Sequence, residues 1–210
     1  GEARLMGAVV ALDSLFNAGR VWKGRPAAAP ASPQPTGHAA LDAVLPTGGW
    51  PEAALTEILI AAQGLGELQL LWPSLARLSA AGERIVLVAP PFVPYPQAWQ
   101  NAGVDVRQLS IIQAGERDAL WAAEQCLRSG SCGAVLCWPQ QADDRALRRL
   151  QVAAESGQTL AFAYRPLETA RNPSPAALRI AVQGRPGQLR VLKCRGGLAH
   201  PAPIAWPAGH

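Results

Sequence analysis

Histidine is scarce in this chain, and so are paired cysteines and long apolar runs. Each shortage removes a class of function. The three histidines, His38, His200 and His210, fall in expected loop or tail contexts, which leaves a Ser/His/Asp or Cys/His mechanism without its base. The four cysteines, Cys126, Cys132, Cys137 and Cys194, form no C-x-x-C pair. They read as reduced, mostly buried thiols of a cytoplasmic protein, with no metal site and no cofactor expected. No run approaches the roughly 18 apolar residues of a membrane helix. Residues 5–16 are apolar, but Asp13 interrupts them and no small-residue cleavage site follows, so no signal peptide is expected. Charged residues make up only 16% of the chain, yet hydrophobic ones make up 49%, which excludes wholesale disorder. At 210 residues there is enough chain for one domain with its own core.

What is present is a rhythm of strands and helices. Leu5, Val9, Leu12 and Phe16 recur at helical spacing and predict an amphipathic helix over 5–19. Pro26, Pro30, Pro33 and Pro35 then make 24–37 an extended, semi-rigid linker. A short helix is expected over 38–45, closed by the turn Pro46-Thr47-Gly48-Gly49-Trp50-Pro51. Strands are expected at 55–60, 84–88, 109–112, 134–137 and 159–163. Helices are expected between them at 66–81, 95–102, 117–128 and 143–156, the last with Asp143 and Asp144 at its positive end. Segments 178–182 and 189–192 flank Gly184-Arg185-Pro186-Gly187 and read as a hairpin. The alternation implies an α/β fold, a mostly parallel sheet with helices on both faces and an antiparallel hairpin at one edge. The tail, 199–210, is Pro-rich and expected to be poorly ordered. Among seven tryptophans, Trp72 and Trp121 sit at helical spacing and are expected in the core. Trp22 and Trp206 lie in segments that bury them poorly, so each either anchors a partner or packs back onto its own domain.

The segment Leu55 to Leu68 occupies the place of a phosphate-binding strand–loop–helix. A phosphate loop reads G-x-x-x-x-G-K-[ST]: its amides cradle the phosphates, its lysine pairs with them and its hydroxyl holds magnesium. Here Gly66, two residues after Gly64, can stand for the second glycine, but Glu67 follows where Lys is required and Leu68 where Ser or Thr is required. A carboxylate at that point repels a triphosphate. The frame is that of a P-loop ATPase, and the substitutions imply that the activity is gone.

The wider pattern resembles a known family. Leu41-Asp42, Gly48-Gly49-Trp50-Pro51, Thr56-Glu57-Ile58, Ala102-Gly103-Val104-Asp105, Arg128-Ser129-Gly130 and Val191-Leu192-Lys193-Cys194-Arg195 run in the order found in RecA recombinases, over about residues 38–196. Val21-Trp22-Lys23-Gly24-Arg25, Gly64-Leu65-Gly66-Glu67-Leu68, Val88-Ala89-Pro90-Pro91 and Ser174-Pro175-Ala176-Ala177-Leu178-Arg179 look like the ImuA family, RecA-like accessory proteins of bacterial mutagenesis operons. The resemblance implies an N-terminal helical arm at 1–23, the linker at 24–37, a RecA-like domain at 38–198 and the tail at 199–210. It places Pro91 at the catalytic glutamate of RecA, Trp138 at its metal-holding aspartate and Tyr164-Arg165 near its nucleotide-sensing glutamine. The three side chains a nucleotide triphosphatase needs are therefore absent. It further implies a non-enzymatic role in DNA-damage-induced translesion synthesis, with ImuB and RecA as partners and an error-prone polymerase subunit reached indirectly. The alternatives are a SulA-type division inhibitor that binds FtsZ and a functional ATPase.

Two surfaces are candidates for docking. One is the arm, through Leu12, Phe16 and Trp22. The other is basic: residues 1–138 carry net charge −2 and residues 139–210 net +6. That excess is either a solvated Arg-rich face or a surface for an acidic partner or nucleic acid. Arg179, Lys193, Arg195 and Trp206 are its candidate contacts. Lys193 and Arg195 also read as a solvated edge strand whose cations discourage pairing, while the RecA resemblance makes them a strand end that reaches a neighbouring subunit's nucleotide. The segment 164–177 corresponds to a DNA-binding loop, but with one aromatic, Tyr164, and three prolines it is expected to contact DNA weakly or indirectly.

Overall fold

A computed structural model describes residues 34–63, 67–184 and 187–206. The expected arm with Leu12, Phe16 and Trp22, most of the linker, and Gly64 and Gly66 lie outside the described residues. After a short helix α1 (Ala39–Asp42) come β1 (Leu55–Ile60), α2 (Trp72–Ala80), β2 (Ile85–Val88), α3 (Pro96–Asn101), β3 (Leu109–Ile112), α4 (Glu116–Ser129), β4 (Ala134–Cys137), α5 (Asp144–Gly157), β5 (Leu160–Pro166), β6 (Leu178–Gln183), β7 (Gln188–Cys194) and β8 (His200–Ala205). The eight strands form one sheet in the order β3-β2-β4-β5-β1-β6-β7-β8. Strands β1 to β6 pair in parallel, and β6-β7-β8 pair antiparallel. This is a mostly parallel α/β sheet with a C-terminal antiparallel hairpin, a RecA-like architecture.

The parallel strands read as unbroken apolar runs because both of their faces are covered. Alternate residues divide between two cores. Ile58, Leu87, Leu136, Phe162 and Tyr164 join Leu71, Leu75 and Trp99 on one face. Leu55, Val86, Val135, Ala161 and Ala163 join Ala123, Leu127, Leu150 and Ala154 on the other. The second face is built from small residues, which lets α4 and α5 lie close. A Cβ added at Gly157 would stand 1.7 Å from the Leu127 carbonyl oxygen, so no larger residue fits there. Asp143 caps α5, its carboxylate accepting from the Ala146 amide at 2.8 Å.

Three expectations are corrected, and for Trp206 the structure takes one of the two alternatives. The helix expected over 66–81 is two pieces, a 3₁₀ turn Glu67–Leu70 and then α2. Pro73 has no amide to donate and its ring clashes with the carbonyl four residues back, so it fits only the first turn of a helix. The tail is not poorly ordered over its first part, since 200–205 is an edge strand on β7. An edge position needs only half of its backbone groups paired, which tolerates Pro201 and Pro203. Trp121 is half exposed rather than in the core, because the sheet-facing stripe of α4 runs through Ala122, Ala123, Cys126 and Leu127; Trp72 is partly buried against the first core. Trp206 packs back onto its own domain: it is buried, lies edge-on to His38 at 6.3 Å, and its ring fills the space a Cβ at Gly187 would take.

Candidate functional site

The degenerate nucleotide position becomes a cleft of about 800 Å³ at the carboxyl ends of the parallel strands. Ligands of open α/β sheets bind at this end. Gln63 enters it after β1, Phe92 and Tyr95 after β2, and Trp138 after β4, while Glu67, Leu68 and Trp72 enter from the 3₁₀ turn and α2. Glu67 and Leu68 are both buried at the turn. The cleft's described lining contains no lysine or arginine, and Glu67 is its one carboxylate.

Trp138 stacks on Tyr164 with ring centroids 5.1 Å apart and planes 16° from parallel. The Tyr164 hydroxyl donates to the Glu67 carbonyl oxygen at 3.2 Å. Burial, and secondarily the nearby Glu67, hold the Tyr164 phenol well above its ordinary pKa, so it remains a donor. Trp138, which lines the cleft, and the buried Tyr164 behind it therefore form an aromatic stack beside the 3₁₀ turn. Trp72 meets Trp99 edge-on at 4.7 Å, and the Trp99 indole donates to the Pro94 carbonyl at 3.1 Å. These contacts anchor the loop 89–95. On that loop Pro91 is exposed, and Phe92, Val93 and Tyr95 are large apolar residues at the surface. Pro91 does not line the cleft. On the other side of Trp138 a second cavity of about 740 Å³ is walled by Val88, Arg117, Cys137 and Gln140.

One feature escaped sequence reasoning. Glu57 is fully buried in the middle of β1, between Ala163 of β5 and Arg179 of β6. Arg179 Nε donates to its Oε1 at 3.0 Å, the Ser174 hydroxyl bonds the same oxygen, and Arg165 Nε lies 3.5 Å from Oε2. Arg179 spends its remaining donors on the carbonyls of Thr169 at 2.8 Å, Ala170 at 3.2 Å and Asn172 at 2.9 Å. Arg165 donates to the Ala142 carbonyl at 3.0 Å. Burial pulls the Arg165 pKa below its ordinary value, with Glu57 opposing and Arg179 adding to the fall.

Arg179 is thus not the exposed contact the charge distribution implied, and Tyr164 and Arg165 are strand residues, buried rather than in a DNA-facing loop. The warning in the sequence was a glutamate inside Leu-Thr-Glu-Ile-Leu-Ile. A central-strand carboxylate must find a cation on a neighbouring strand, because an unpaired buried charge is too costly. Lys193 and Arg195 do lie at the surface. The Lys193 ammonium donates to the Ser174 carbonyl at 2.6 Å, and Arg195 stands 3.8 Å from Glu155.

All four cysteines are buried, and burial pushes the Cys126 and Cys137 thiols up to about 12. Among the described residues no group of three or more His, Cys, Asp or Glu could hold a metal ion, and no helix is long and apolar enough to cross a membrane.

No family model matches the chain. The chain is 31% identical over 138 residues to the RecA protein of Clavibacter michiganensis subsp. michiganensis (strain NCPPB 382), a stretch that covers 64% of this chain and 38% of that protein. It is 30% identical over 138 residues to the RecA protein of Leifsonia xyli subsp. xyli (strain CTCB07), with the same coverage. The match thus spans well under half the length of these relatives. The crystal structure of SulA from Pseudomonas aeruginosa superposes with a TM-score of 0.46 at 28% identity, over 55% of this chain and 99% of that one. Over these 138 residues the chain is similar in sequence to RecA, and its sheet is mostly parallel.

Proposed function

We propose that this chain is a non-catalytic, RecA-like accessory factor of the ImuA type, which acts in the cytoplasm by docking to ImuB and RecA during DNA-damage-induced translesion synthesis. The observation that carries the loss of catalysis is the composition of the cleft. By the RecA resemblance, Glu67 and Leu68 stand where a phosphate-pairing lysine and a magnesium-holding hydroxyl are required, and Trp138, stacked on Tyr164 behind it, stands where a metal carboxylate is required. Phosphoryl transfer depends on positioning and on cations at the phosphates, and the described lining supplies neither lysine nor arginine. The ImuA-type motifs and the likeness to RecA support a place in the DNA-damage response.

A RecA-like domain without chemistry works through surfaces. Lys193 and Arg195, at the end of β7, which lies between β6 and β8 rather than at the sheet edge as the sequence suggested, and the apolar loop at 92–95 are the described candidates. The test is capture of the purified chain by immobilised RecA, ImuB and FtsZ over a salt series. RecA and ImuB are expected to retain it, with retention falling as salt screens exposed charge over about 8–10 Å. Retention by FtsZ alone would replace this reading with that of a division inhibitor.

A further inference from the structure

The segment after β2 reads Ala89-Pro90-Pro91-Phe92-Val93-Pro94-Tyr95-Pro96, and no residue between Arg84 and Asp105 is charged. Each proline fixes its own φ, and Pro90, Val93 and Tyr95 each precede a proline and are biased to extended backbone. Within 90–96 only Phe92 is under neither restraint. Tyr95 has φ −59° and ψ 149°, close to polyproline II. The Trp99 indole donates to the Pro94 carbonyl at 3.1 Å and the Ala98 amide to the Tyr95 carbonyl at 2.9 Å, which ties the end of the loop to a fully buried ring. On this stiff support Phe92, Val93 and Tyr95 keep 55%, 36% and 83% of their surface exposed. Docking such a loop costs little ordering entropy. Beside it lies the cleft, walled by Leu68, Trp72 and Trp138 with the amides of Gln63 and Gln69. Glu67, the one carboxylate there, is buried and partnered within the chain, so neither loop nor cleft presents a free charge.

We propose that a second copy of this chain docks on this face about a two-fold axis, each copy's 91–95 loop entering the other's cleft. Proline-rich extended segments are read by grooves lined with aromatic rings, and one face carries both halves of that match. Loop and cleft share Phe92, Val93 and Tyr95, so a single two-fold brings each loop to the other cleft and makes every contact twice. With no free charge on either half, pairing identical surfaces meets no like-charge repulsion. A buried aromatic side chain covers about 150–250 Å². The exposed parts of the three apolar side chains therefore amount to roughly 300 Å² per copy, short of the about 800 Å² per partner of a stable interface. The pair is weak: monomeric at low micromolar concentration and dimeric only toward millimolar. It goes beyond the docking to RecA and ImuB proposed above and does not rest on it.

Sedimentation velocity of the full chain alone, from about 5 µM to about 500 µM, tests the pair. The expected result is a monomer at the low end and a sedimentation coefficient that climbs toward the dimer value at the high end. The climb should be the same at about 50 mM and about 500 mM salt, because screening acts on charges and none holds the pair. Phe92→Ser with Tyr95→Ser should weaken association at least about tenfold, the effect of removing central aromatic anchors. Both side chains are exposed, so the fold should persist, and circular dichroism verifies it. Trp121→Ser, an exposed aromatic on α4, should leave association unchanged. For placement, p-benzoylphenylalanine replaces Phe92 and an equal mixture of isotopically heavy and light chains is irradiated at the high concentration. Heavy–light adducts within 67–72 or 92–101 are expected. A monomer throughout, association that survives the double substitution or weakens with salt, or adducts confined to one chain or outside those segments would each overturn the pair.

Discussion

The buried triad is where single residues matter most. Glu57 faces two arginines inside the sheet, and the carbonyls of Thr169, Ala170 and Asn172 consume the rest of Arg179. Removing one partner of a buried pair leaves the others uncompensated, at a cost of about 3–5 kcal/mol. Glu57→Ala and Arg179→Ala should each lower the unfolding free energy from urea titration by that order, whereas Lys193→Ala, at the surface, should stay within about 0.5 kcal/mol. Equal, small effects at all three positions would mean that the triad contributes nothing. The buried thiols give a second residue-scale expectation, one of pH. Cys126 and Cys137 ionise near about 12 in the folded chain, against about 8.5 for an unfolded thiol. The folded state therefore holds protons that the unfolded state gives up, and stability falls as pH rises above about 8.5, until it levels near about 12. Cys126→Ala with Cys137→Ala should flatten that fall between pH 9 and 10 in denaturant titrations.

At the scale of elements, β8 and Trp206 close the sheet. Trp206 fills space beside His38 and Gly187. Trp206→Ala should cost about 3–5 kcal/mol, as large aromatic truncations in cores do, with hydrogen exchange accelerated first at the β7–β8 pairing. The same region shows where sequence reading stops. Strands β1 to β5 were legible because a strand covered on both faces must be apolar throughout, and α5 because Asp143 announces its start. The 200–205 strand was not legible, since two prolines argue against a strand until its edge position is known. Pro73 did carry the signal that splits the expected helix. At the site, Glu67, Leu68 and Trp138 were named from the sequence and do meet in one cleft, while Pro91 stands outside its lining. Arg179 was misplaced for a physical reason: its role follows from the register that sets it beside Glu57, and register between distant strands is not written in local pattern.

For the whole molecule, the parallel sheet keeps the frame of a nucleotide-binding domain and fills its working end with an aromatic stack, a buried carboxylate and an exposed apolar rim. That combination is the basis of the proposed reading as a protein that works by docking. The net +6 of residues 139–210 overstates the free surface charge, because Arg165 and Arg179 are buried against Glu57 and Arg149 pairs with Glu124 at 2.8 Å. The central claim is that no triphosphate is held at the cleft. Titration calorimetry of the full chain with Mg-ATP tests it most directly. The account predicts no heat above dilution at concentrations up to about 1 mM, where even a weak site of about −4 kcal/mol would register. Saturable binding in the micromolar range, lost in Trp138→Ala, would contradict it.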